Sequence, residues 1–151
     1  MCLSSSLSSR AGGDGTRDDA SVALAWCFED ERTEATASLL ERVQTDAAAV
    51  PSLWRLEVAN VLRLAERRRR ITPAESLELI ALLEMLEIVV DEETPARAFT
   101  RVLDLAREEG LTAYAAAYLE LAMRLGIPLA SKDADLCDAA ERLGVDVLRA
   151  A

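Results

Sequence analysis

Residues 126–148 read Gly126-Ile127-Pro128-Leu129-Ala130-Ser131-Lys132-Asp133-Ala134-Asp135-Leu136-Cys137-Asp138-Ala139-Ala140-Glu141-Arg142-Leu143-Gly144-Val145-Asp146-Val147-Leu148. Ile127 to Ala130 is a short apolar run, long enough for a buried strand and too short for a helix. Asp133 can cap a helix running from Ala134 to Leu143, and Gly144 stops it. Val145 to Leu148 is a second apolar run. Two strands joined through a helix need a crossover, so they lie parallel in one sheet.

The same alternation extends upstream. Thr112 caps a helix to about Leu125 that Gly126 ends, and Thr94-Pro95 starts another that stops at Gly110. Ile88 to Val90 is a strand candidate. Thr72-Pro73-Ala74-Glu75 is a capping box with proline in the first helical position, opening a helix to about Leu86. Ser52 is expected to cap a helix to about Arg69, with Leu53, Leu56, Val61 and Leu64 at helical spacing. Ala47 to Val50, stopped by Pro51, is a further strand candidate. Thr33 to Val43 and Ala23 to Phe28 are expected helices. The fold class is therefore α/β with a short parallel sheet. Residues 1–18, rich in Ser and Gly, are expected to be a flexible leader, and residues 19–151 one domain.

The chain has 151 residues, a formal net charge of −10 and no histidine. Such a charge argues against coating nucleic acid through bulk electrostatics. Without histidine there is no Ser-His-Asp triad, no Cys-His pair and no histidine-based zinc site. Cys2, Cys27 and Cys137 are too widely spaced for a thiolate metal motif and too few for a disulfide framework, so a reducing, cytoplasmic setting is expected. No stretch is apolar enough to span a membrane; Leu79 to Val90 is broken by Glu84 and Glu87.

The chemistry resides in acidic residues at the ends or on the apolar faces of these elements: Asp19, Glu57 and Asp133. Glu57 shares its helical stripe with Leu53, Asn60, Val61 and Leu64. A carboxylate facing a core is costly without a positive partner. Each residue has a plainer explanation: Glu57 reaching the surface or pairing with Arg55 or Arg63, and Asp19 and Asp133 as helix caps. Together, from distant parts of the chain, they imply a shared divalent cation.

The segments Asp-Ala-Ser-Val-Ala-Leu-Ala-Trp at 19–26, Val-Pro-Ser-Leu-Trp-Arg-Leu-Glu-Val-Ala-Asn-Val-Leu at 50–62, Leu-Thr-Ala-Tyr-Ala-Ala-Ala-Tyr at 111–118 and Pro-Leu-Ala-Ser-Lys-Asp-Ala-Asp-Leu at 128–136 resemble the PIN-domain family, and within it the VapC-type ribonuclease toxins. The resemblance implies a three-layer α/β/α fold and hydrolysis of RNA phosphodiesters with Mg²⁺ or Mn²⁺. It carries the acidic cluster onto Asp19, Glu57 and Asp133, with Ser21, Asn60, Ser131 and Asp135 in support. It further implies a VapB-type antitoxin as partner and a homodimer.

Two departures stand out. The family places an Asp where this chain has Ala115, and a methyl group can neither ligate a cation nor accept a proton. Weakened catalysis is expected, as from an inactivating change that spares a producing cell. The family also runs an apolar strand into Asp-Ala-Ser, whereas Gly13-Asp14-Gly15-Thr16-Arg17-Asp18 is a poor central strand. The native first strand is thus expected to have been replaced upstream of Asp19. Of the rest, Arg67 to Arg70 are expected to be a solvated helix end, and Trp26, Trp54, Tyr114 and Tyr118 to pack in the core. A phosphoacceptor domain using Asp91 is the rival α/β class, and Lys132, lying before the last strand, fits it poorly.

Overall fold

The computed structural model describes residues 2–3, 33–45 and 47–149. Asp19, Ser21, Trp26, Cys27 and the expected helix Ala23–Phe28 lie outside the described residues. Five short strands form one sheet: β1 (Cys2–Leu3), β2 (Ala48–Pro51), β3 (Ile88–Asp91), β4 (Leu129–Ser131) and β5 (Val147–Arg149), in the order β3-β2-β1-β4-β5. Every pairing is parallel, with Cys2 opposite both Ala49 and Leu129, Val50 opposite Val90, and Ala130 opposite Leu148.

The central position is filled by Cys2–Leu3, within the segment expected to be a leader. The sequence supplies an apolar pair there, and the parallel neighbours β2 and β4 need a strand between them to satisfy their inner edges. The described chain moves outward from β1 to β3 on one side and from β4 to β5 on the other. Right-handed crossovers moving in opposite directions put their helices on opposite faces of the sheet, which yields a PIN-like α/β/α sandwich.

The helices are α1 (Glu34–Thr45), α2 (Trp54–Arg67), α3 (Pro73–Glu84), α4 (Thr94–Arg97), α5 (Leu103–Glu109), α6 (Ala113–Leu125) and α7 (Ala134–Arg142). The α3 capping box forms as expected: Thr72 Oγ1 accepts from the Glu75 N–H at 3.2 Å, and the Thr72 N–H donates to Glu75 Oε2 at 2.7 Å. Ser52 does not cap α2. That helix begins at Trp54 behind Leu53 without a side-chain cap bond. Its buried stripe is Trp54, Val58, Leu62 and Ala65, while Leu56 is 76% exposed. The large indole at the helix start sets the inward face, and Leu56, two residues on, is rotated to the far side.

The helix expected from Thr94 to Gly110 is divided by a π-helical segment, Ala98–Val102, between α4 and α5. Phe99 and Val102 would share a face in an α-helix. The wider turn separates them, so Val102 is buried and Phe99 stands 92% exposed.

Helix α6 is the centre of the fold. Ala115 to Ala122 are all buried, and the helix packs on β1, β2 and β4. A helix apolar around its whole circumference belongs in a core, and its alanines allow close approach to the sheet. Thr112 Oγ1 accepts from the Ala115 N–H at 3.1 Å, and Gly126 ends the helix at a φ of 63°. The charged exception is Glu120, 3% exposed and matched by Arg124 at 2.9 Å and Arg97 at 3.6 Å.

Candidate metal centre

In a parallel sheet all carboxyl ends lie along one edge, and ligands bind where the strand order reverses. Here the order reverses beside β1, between β2 and β4. Glu57 comes after β2 in the opening turns of α2, and Asp133 comes after β4 as the N-cap of α7. Topology therefore brings both carboxylates to the same edge, astride the reversal.

Glu57 is buried, 8% exposed, and the Tyr118 hydroxyl of α6 donates a hydrogen bond to its Oε1. Asp133 is half-buried. Its Oδ1 accepts from the N–H groups of Asp135 at 2.9 Å and Leu136 at 3.2 Å, and its own N–H donates to Ser131 Oγ at 3.0 Å. Ser131 is fully buried at the end of β4. Ala115 is buried in the first turn of α6, three residues before Tyr118 and thus near it on the helix surface. Asn60 and Asp135 are exposed. Asp135 faces solvent, and Glu120 is engaged by Arg124 and Arg97.

The donor chemistry suits a hard cation, because carboxylate oxygens are the ligands that Mg²⁺ and Mn²⁺ prefer. A carboxylate offers about four acceptor sites, so the two capping bonds do not exhaust Asp133. The donor count is short, however: among the described residues no three Asp, Glu, Cys or His side chains gather to hold an ion. Asp19 would have to complete the set, and the side chain at 115 cannot.

Sequence reasoning missed the role of Tyr118, which it assigned to packing. The signal was its phenol, since a buried hydroxyl requires a partner. Tyr114, also assigned to the core, is 60% exposed. A second polar network was missed as well. Arg124 donates to both oxygens of Asp91, at 3.2 and 2.7 Å, and Thr94 adds its hydroxyl at 3.2 Å. Burial alone would raise the Asp91 pKa, but the hydrogen bonds and charge of Arg124 outweigh it and hold the carboxyl below its usual range. Asp91 is thus an ionised carboxylate clasped by Arg124. Burial pushes the Cys137 thiol up to about 11, so it is inert near neutrality.

Between α2 and α3, a cleft of about 440 Å³ is lined by Trp54, Val58, Leu62, Ile80, Leu83 and Val90, among others, with Arg55 and Glu84 also on its wall. Leu77, Leu82 and Met85, on or just after α3, are exposed. No helix among the described residues is long and apolar enough to cross a membrane.

No curated protein matches the chain. Among solved structures, the crystal structure of PAE2754 from Pyrobaculum aerophilum is similar at a TM-score of 0.50 and 18% identity, covering 76% of this chain and 82% of that one. The profile of the PIN domain matches residues 19–142, a span that runs from Asp19 to the end of α7. The chain belongs to the PIN domain family, whose members are commonly metal-dependent nucleases.

Proposed function

We propose that the chain is a VapC-type endoribonuclease toxin using Mg²⁺ or Mn²⁺, weakened by alanine at position 115. The observation that carries this reading is a buried carboxylate, Glu57, held by the Tyr118 hydroxyl of a neighbouring helix at the edge where Asp133 also lies. A core carboxylate is expensive to keep, and a metal site is the function that justifies one here.

Glu57 and Asp133, with Asp19, would hold the cation. Bound there, it would neutralise the phosphodiester and lower the pKa of a coordinated water. Tyr118 fixes the orientation of Glu57, and the α7 backbone fixes Asp133. Fixed donors matter because loosening even the groups that orient metal ligands costs roughly 10–100-fold in affinity or activity. No side-chain nucleophile is needed, which agrees with a chain lacking histidine. The methyl of Ala115 contributes neither charge nor a proton acceptor. Ala115→Asp should restore Mn²⁺-dependent cleavage of single-stranded RNA, measured by gel; a revertant as inert as the parent ends this reading.

A second reading is a non-catalytic module that only binds a VapB-type antitoxin. The α2–α3 cleft and the exposed apolar residues Leu77, Leu82 and Met85 favour a protein partner, either an antitoxin segment or a second copy in a homodimer. Calorimetric titration with Mn²⁺ separates the two: a pure binding module takes up no ion at the site.

A further inference from the structure

Tyr118 is wholly buried with its hydroxyl on Glu57, whereas Tyr114, one helical turn earlier, is 60% exposed. Residues four apart on a helix lie almost in line, one above the other. Side chains on a helix also lean toward its N-terminus. Tyr114 therefore continues the Tyr118 stripe outward, from the buried carboxylate to solvent, and directly precedes Ala115. An exposed aromatic ring thus stands one helical turn from the tyrosine that holds Glu57.

We infer that Tyr114 is the stacking platform for an unpaired base beside the phosphate to be cleaved, an assignment that rests on the ribonuclease reading. Single-stranded RNA is recognised through bases splayed onto aromatic side chains. Every base has a π face, so one ring beside the site binds without strict sequence choice. The chain's charge of −10 makes this contact more important, because general attraction for phosphate is absent. Duplex RNA keeps its bases stacked internally and gains nothing from the ring.

The test uses the chain as it stands, with Ala115, so that binding is read without cleavage. Fluorescence anisotropy of labelled oligoadenylate and oligouridylate is measured in Mn²⁺ at low salt, with a blunt-ended RNA duplex for comparison. Tyr114→Ala should weaken single-strand binding by roughly ten-fold, and Tyr114→Leu should do the same. Tyr114→Phe and Tyr114→Trp should retain it, with duplex binding and melting temperature unchanged throughout. If Tyr114→Ala or Tyr114→Leu binds as well as the parent, the stacking role is overturned, and an exposed tyrosine for a protein partner takes its place. If the parent binds neither oligonucleotide, the ribonuclease reading fails and this assignment fails with it.

Discussion

The Tyr118 hydroxyl donates to Glu57 Oε1 across 61 positions of sequence, joining the central helix α6 to the first turns of α2. Both groups are buried, so each meets a need in the other: a phenol requires a partner, and a carboxylate requires donors. Tyr118→Phe removes the donor and leaves a buried anion less well satisfied. Stability in urea should fall by about 1–3 kcal/mol. In a double-mutant cycle with Glu57→Ala, the two losses should be strongly non-additive. Simple additivity would show that the bond contributes nothing.

Asp91 gives the fold an acid limit. Its carboxyl is held below the usual range by Arg124 against the opposing effect of burial, while the unfolded chain titrates near 3.9. A depressed folded pKa means the unfolded state binds the proton first. The stabilisation is complete above about pH 3.9 and is lost as pH falls through the folded value. Asp91→Asn should be less stable than the parent at neutral pH, and its stability should decline less steeply in acid. Denaturant midpoints measured from neutrality to pH 2 test this; parallel curves would mean that Asp91 sets no acid limit.

Much of this fold was legible because its punctuation is local. Thr72 with Glu75, Thr112 with Ala115, and the glycines 110, 126 and 144 act within one turn of chain, so composition alone locates their helix ends. The parallel sheet was implied by short apolar runs between helices. The face of α2 was not legible, since Leu53, Leu56, Val61 and Leu64 repeat as regularly as the true stripe of Trp54, Val58, Leu62 and Ala65. Only packing chooses between them. Glu57 and Asp133 were visible as carboxylates in unusual settings, but the Tyr118 contact joins residues too distant for spacing to reveal. The same holds for the clasp of Asp91 by Arg124, 33 positions apart.

The four-arginine run contains an unusual backbone. Arg69, with a φ of 57°, is the single non-glycine residue at positive φ among those described. The Arg70 N–H donates to the Ala65 carbonyl and the Arg69 N–H to the Glu66 carbonyl, both at 2.9 Å. That pattern is a Schellman ending with Arg69 in the left-handed position usually given to glycine. Arg69→Gly should stabilise the protein by about 0.5–1 kcal/mol, because the Cβ penalty exceeds the entropy glycine loses. Arg63→Gly, inside α2, should destabilise it by about 1 kcal/mol. Denaturant melts of the two variants should move in opposite directions. A loss of stability in Arg69→Gly would mean that the arginine side chain offsets its own strain.

Asp133 carries a structural task and a proposed chemical one, and they can be separated. Its Oδ1 caps α7, and serine caps a helix about as well as aspartate. Asp133→Ser should therefore keep stability within about 0.5 kcal/mol, while Asp133→Ala should lose about 1 kcal/mol. If the carboxylate binds the cation, both substitutions remove it equally. In the Ala115→Asp background, Mn²⁺ uptake by calorimetry should vanish in both variants, whatever their stability. Full uptake by Asp133→Ser would reduce Asp133 to a cap and move the metal centre elsewhere along the carboxyl edge of the sheet.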